Sequence, residues 1–166
     1  MPTWTTMNDL STGDLVTEAD MDAIRGNIEY LLNPNEDNTA YLKGSNISAT
    51  NNTWQDVDAT NLSLTITTYG GPVLIYFSGM AYVAASNIVY FDIDINGTRY
   101  ANTTKGIAKC FQTYAIGEHV AFAVIDNSLA AGSHTITLQW CGSTTNGQNL
   151  LSASGETPVI LGVIEL

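Results

Sequence analysis

Few residues of this chain have the chemistry for catalysis or metal binding, and their spacing gathers them into no recognisable constellation. Asp92 and Asp94 stand two apart on one strand face, and Asp126 ends another strand. Three such carboxylates brought together could hold a hard cation such as Ca²⁺. The spacing matches neither an EF-hand nor a repeat-type calcium loop, so a solvated sheet face is the expectation and no metal is assigned. Paired carboxylates are also the tool of a glycosidase, but nothing else in the chain reads as an active cleft. His119 in GEHVAF and His134 in GSHTITLQW are isolated and read as structural or surface residues rather than bases. Cys110 and Cys141 read as two small apolar residues, with a disulfide between them left open. A zinc site would need both histidines, with no close ligand pair to start it. There is no G-x-S-x-G, H-E-x-x-H, phosphate loop or dinucleotide fingerprint. The expectation is a protein that is not an enzyme and carries no cofactor.

The elements that hold these residues change character along the chain. Residues 1–16 are polar and carry turn formers. Thr17 is a good N-cap, with Asp20 placed for a capping box and Val16 and Met21 for a hydrophobic staple. A helix is predicted from about 17 to 32, where Asn33-Pro34 stops it. Its apolar residues Met21, Ile24, Ile28 and Leu31 are spaced 3, 4 and 3. That spacing makes an a/d seam, which serves either one helix docked on its own domain or a short bundle of identical helices. Residues 1–34 therefore read as an arm and 35–52, rich in Asn, Thr and Ser, as a polar linker.

From Thr53 to Leu166 the period becomes two. Leu62, Leu64 and Ile66 alternate with Ser63, Thr65 and Thr67; Phe91, Ile93 and Ile95 alternate with Asp92, Asp94 and Asn96. Val120, Phe122 and Val124, and Ile136, Leu138 and Trp140, repeat the pattern. Asn96-Gly97 suits a type I′ hairpin turn. The expected fold is a mainly β antiparallel jelly-roll sandwich of about eight strands behind a short N-terminal helix. Val73–Val83 and Val159–Leu166 break the alternation by being apolar on both faces. A sandwich strand normally leaves one face wet, so these strands either lie in a covered sheet centre or meet another subunit; the second is the expectation, for Leu74, Tyr76, Tyr82, Ile160, Ile164 and Leu166 and for the seam residues of the helix.

Composition narrows the partners. The 166 residues carry 16 carboxylates against five Lys and Arg, a formal charge of −11. Residues 1–58 hold ten of the carboxylates against Arg25 and Lys43. An acidic chain without a basic run repels phosphate backbones and anionic membranes, so no nucleic acid is expected. No apolar run of 18 or more predicts membrane insertion, and MPTWTTMNDL lacks the features of a secretory signal. Charged residues are 13% of the chain, about half the usual share, and neutral polar residues fill the gap. Five N-x-S/T sequons, at Asn46, Asn51, Asn61, Asn96 and Asn102, are expected by chance in such a composition.

The N-terminal stretch resembles the start of many tail-fibre-like and structural proteins of tailed bacteriophages. The residues that carry the resemblance are Trp4-Thr5, Thr12-Gly13, Val16-Thr17, Ala19-Asp20-Met21, Ile24-Arg25-Gly26-Asn27-Ile28 and Leu31-Leu32. In that family the segment anchors the protein to other virion proteins. The remainder is similar to the C1q/TNF-like jelly rolls at the tips of such proteins, on residues Leu129–Trp140 and the terminal Val163-Ile164-Glu165-Leu166. Members of that group are usually trimers with the terminal strand near the threefold axis. The resemblance implies a homotrimeric virion structural protein, a tail fibre or head fibre for host attachment, assembled in the host cytoplasm and exposed after release. Its head would bind a host-surface receptor, such as a glycan. The alternatives are a capsid decoration protein that stabilises the shell, and a free carbohydrate-binding module.

Overall fold

The computed structural model describes residues 17–32, 35–41, 47–49, 52–83, 87–101, 104–112, 117–143, 148–151 and 158–166. It forms two compact units, residues 1–35 and 36–166. Residues 1–16, with the Trp4-Thr5 and Thr12-Gly13 positions of the phage-like segment, lie outside the described residues.

In the first unit, helix α1 runs over Glu18–Leu32. Thr17 and Asp20 cap it reciprocally. The Thr17 N–H and hydroxyl donate to Asp20 Oδ2 at 2.9 and 2.6 Å, and the Asp20 N–H donates back to Thr17 Oγ1 at 3.2 Å. This arrangement satisfies amides that no helical turn can reach. Those hydrogen bonds also hold the Asp20 carboxyl below its ordinary pKa. Met21 and Ile28 are exposed, and the side chain of Leu31 lies outside the described residues.

The second unit is a sandwich of two antiparallel sheets. The first contains β1 (Glu36–Tyr41), β2 (Ile47–Ala49), β5 (Val73–Val83), β9 (Glu118–Asp126), β11 (Gln148–Leu151) and β12 (Val159–Glu165). The second contains β3 (Gln55–Asp56), β4 (Ser63–Thr68), β6 (Asn87–Ile95), β7 (Thr98–Arg99), β8 (Ala108–Gln112) and β10 (Gly132–Gly142). The main strands run β1-β12-β5-β9 in one sheet and β4-β10-β6-β8 in the other. Numbered through these eight strands in chain order, the two sheets read first-eighth-third-sixth and second-seventh-fourth-fifth. That interleaving is a jelly roll, the double Greek key.

Residues 35–52, expected as linker, hold β1 and β2, so the sandwich begins at Glu36 rather than Thr53. β1 pairs along β12 from Glu36 opposite Ile164 to Tyr41 opposite Val159. Its sequence, EDNTAY, is polar because an edge strand is held by backbone hydrogen bonds, which need no hydrophobic period. The added strands β2, β3, β7 and β11 are each four residues or shorter. Strands that short carry too few residues to display an alternation.

The core lies between the sheets. Val73, Ile75, Phe77, Leu161 and Val163 face it from one side; Phe91, Ile93, Ile136, Leu138 and Trp140 face it from the other, all at most 1% exposed. Phe77 and Phe91 stack across it at 5.5 Å. The β6–β7 turn has the positive φ angles of type I′, 55° at Asn96 and 84° at Gly97. The Gly97 N–H donates to Asp94 Oδ1 at 2.6 Å.

Candidate functional site

The two outer faces of the sandwich differ in chemistry. On the first sheet the strands turn their even-numbered β5 and β12 residues, and their odd-numbered β9 residues, away from the core. Register then places Ile164, Leu74 and Ile125 in one row across β12, β5 and β9. Gly162, Tyr76 and Ala123 form the next row, and Ile160, Ser78 and Ala121 the third. Leu74, Tyr76, Ile160 and Ile164 remain partly exposed, and Ile125 is 50% exposed. A Cβ on Gly162 would overlap the Tyr76 ring, so the ring lies across β12 in a space that only glycine leaves. Tyr82 lies further along the same face of β5, opposite Asn149 of β11. Leu166, 60% exposed, follows β12, and its N–H donates to the Pro72 carbonyl.

These six residues are the sandwich members of the predicted interface set; strand pairing gathers Leu74, Tyr76, Tyr82, Ile160 and Ile164 on one face, and Leu166 follows at its edge beyond β12. Sequence reading missed the contribution of β9. There Ala121, Ala123 and Ile125 complete the apolar rows, and the signal was available: Val120–Ile125 is apolar at every position. Met21, Ile24, Ile28 and Leu31 belong to the separate helical unit.

The outer face of the second sheet is polar and partly covered. Asp92 points outward from β6 yet is fully buried. Its Oδ1 accepts from the N–H groups of Ile93 and Ala101 at 2.9 and 3.2 Å, and its Oδ2 lies 3.3 Å from Arg99 Nε. Arg99 in turn stacks on Trp54, 4.2 Å from the ring centroid. Gly106, at φ +61°, lets its loop approach so closely that a Cβ would strike the Phe91 carbonyl and the Trp54 ring. Burial pushes the Asp92 carboxyl upward in pKa, while the Ala101 and Ile93 amides and the Arg99 charge pull it down. The upward push prevails, because desolvation penalises the charged form most.

The three carboxylates considered as calcium ligands are used separately. Asp92 serves Arg99 and two amides, Asp94 caps the hairpin turn, and Asp126 accepts from the N–H and hydroxyl of Ser128, both at 2.6 Å. Among the described residues no three metal-binding side chains come together. His134 Nε2 donates to the Ala130 carbonyl at 2.8 Å, which leaves Nδ1 to accept from the Asn96 amide at 2.9 Å. His134 thereby staples the β6–β7 turn to β10. His119 is exposed and bonds Ser78 on the apolar face. Cys110 and Cys141 are buried thiols, not joined in a disulfide, and the Cys110 thiol donates to Glu118 Oε2 at 3.1 Å. Cys110 sits opposite Val89 and Cys141 opposite Tyr90, so they occupy opposite faces of the same sheet and cannot bridge.

Strand order and side-chain placement define a mainly β jelly-roll protein with a short N-terminal helix. No family model matches the chain, and no curated protein matches it. Among solved structures it is similar to one described as the structure of Eiger TNF from S. frugiperda, with 11% sequence identity and a TM-score of 0.49, covering 81% of this chain and 94% of that one.

Proposed function

We propose that this chain is a non-catalytic structural protein of a bacteriophage particle, a trimeric short fibre or appendage whose jelly-roll heads meet through the outer face of the first sheet. The observation that carries the assembly half is the apolar character of that face. Ile164, Leu74 and Ile125, with Tyr76, Ala121, Ala123 and Ile160, form contiguous apolar surface over three paired strands. Contiguous apolar surface of this kind marks a contact with another molecule. A closed assembly of identical subunits covers it by symmetry. The particle half rests on the phage-like pattern of residues 4–32, which would bind the arm to other virion proteins.

Light scattering on a sizing column tests the assembly. The expected mass is three times the chain's 17.8 kDa. Ile125→Glu, placed opposite Leu74, should give a folded monomer, since three carboxylates would be buried together without partners. A wild-type monomer would overturn the reading. Mass spectrometry of purified particles tests the rest. A few to tens of copies fit a fibre, hundreds fit a decoration protein, and absence from particles leaves a free binding module.

A further inference from the structure

The outer face of the second sheet carries an open cleft of about 390 Å³, lined among others by Trp54, Tyr90, Lys105, Asn52, Thr104 and Ser143. We infer that this cleft binds an acidic carbohydrate, a sugar bearing a carboxylate such as a uronic or sialic acid.

Three observations carry this. The first is charge. Residues 59–166 contain only three cations, Arg99, Lys105 and Lys109; one of them lines this cleft and the other two lie on the outer face of the same sheet. Lys105 lines it, Lys109 lies opposite Tyr90 in the β6–β8 register on the same face, and Arg99 stacks on Trp54. In a chain of net charge −11, that concentration is local and opposite in sign to the whole. The second is availability. Arg99 is paired with Asp92, but among the described residues neither Lys105 nor Lys109 forms an ion pair and no carboxylate lines the cleft. The third is the lining. Trp54 and Tyr90 offer flat apolar rings with polar edges. The amide and hydroxyls of Asn52, Thr104 and Ser143 offer donors and acceptors at the rim. A pyranose presents an apolar C–H face and a ring of hydroxyls, and its carboxylate gives the lysines a partner.

The role of the cleft rests on the proposed reading of the chain as a virion appendage, and it gives the host-surface receptor expected of such a head a place and a chemistry. It lies on the sheet opposite the apolar face, so an assembly closed through β5, β9 and β12 leaves it open to solvent.

The test is calorimetric titration and tryptophan fluorescence on the full chain. The probes are trigalacturonate, a hyaluronan tetrasaccharide and sialyllactose, with maltotriose and lactose as neutral counterparts and sodium sulfate as a bare anion. At least one acidic sugar should bind, at least tenfold more tightly than the neutral ones, and more weakly as salt rises. Lys105→Glu should weaken binding at least tenfold with the melting temperature unchanged. Trp54→Phe, which keeps a ring, should bind better than Trp54→Ala. Failure of every acidic probe, equal binding of neutral sugars, or indifference to Lys105→Glu overturns the inference. Sulfate binding as tightly as the sugars means a bare anion site and overturns the sugar assignment. A monomer that binds would overturn the assembly reading alone, and a trimer that does not bind would overturn this one alone.

Discussion

Single side chains decide where this fold can be broken. Glu165 is buried at the end of β12, and its Oε1 accepts the N–H groups of Tyr69 and Gly71 at 2.7 and 2.9 Å. It thus closes the turn between β4 and β5. Glu165→Ala leaves those amides without their acceptor and should cost about 2–3 kcal/mol, read as a lower urea midpoint with an unchanged slope. Asp92 gives a pH signature. Its pKa in the fold is raised above the ordinary 3.8, so the folded state holds this proton more tightly than the unfolded chain. The associated stability is fully present below that ordinary value and is lost as pH rises through the folded pKa. Asp92→Asn removes this titration, so urea melts between pH 4 and 7 should fall less with rising pH in the variant than in the wild type. The cysteines are a third case. Burial pushes the Cys141 thiol up in pKa, which lowers its thiolate fraction. Both thiols should resist alkylation in the native protein and both should react after unfolding without reductant.

At the scale of elements, the first sheet is organised around β5. It pairs with β9 along one edge, and with β12 and then β11 along the other. That position explains why VLIYFSGMAYV is apolar on both faces: one face fills the core and the other joins the apolar rows. The helical unit is separate, with the reciprocal Thr17–Asp20 cap as its own start signal. Residues 36–166 contain the described apolar core, from Ile47 to Val163. A chain of residues 36–166 should therefore keep the sandwich's near-UV spectrum and cooperative melt. Loss of the cooperative transition would mean that the helical unit supplies part of the core.

For the molecule as a whole, the two outer faces differ in chemistry, and the proposed assembly and the inferred cleft give each its own task. One is apolar, and the other is polar and carries Arg99, Lys105 and Lys109. Ile125→Glu and Lys105→Glu should therefore separate cleanly, the first changing mass without changing ligand binding and the second the reverse.

The sequence by itself determined the strand periodicity, the Asn96-Gly97 hairpin, the start of α1 at its Thr17–Asp20 cap and the double apolarity of β5 and β12. Each is a local signal, written in neighbouring residues as a period, a capping pair or a turn dipeptide. Tertiary structure alone decided what required distant partners. β1 was hidden in a polar segment because its place is fixed by backbone pairing with β12, more than a hundred residues away. Asp92, Asp94 and Asp126 looked like one cluster by type, but pairing and turns gave each its own task. Arg99, Lys105 and Lys109 looked like scattered single charges, and the return of β7 and β8 alongside β6 brought them to the outer face of one sheet. Residue spacing along a strand reports which face a side chain takes; only the pairing of strands decides what lies across from it.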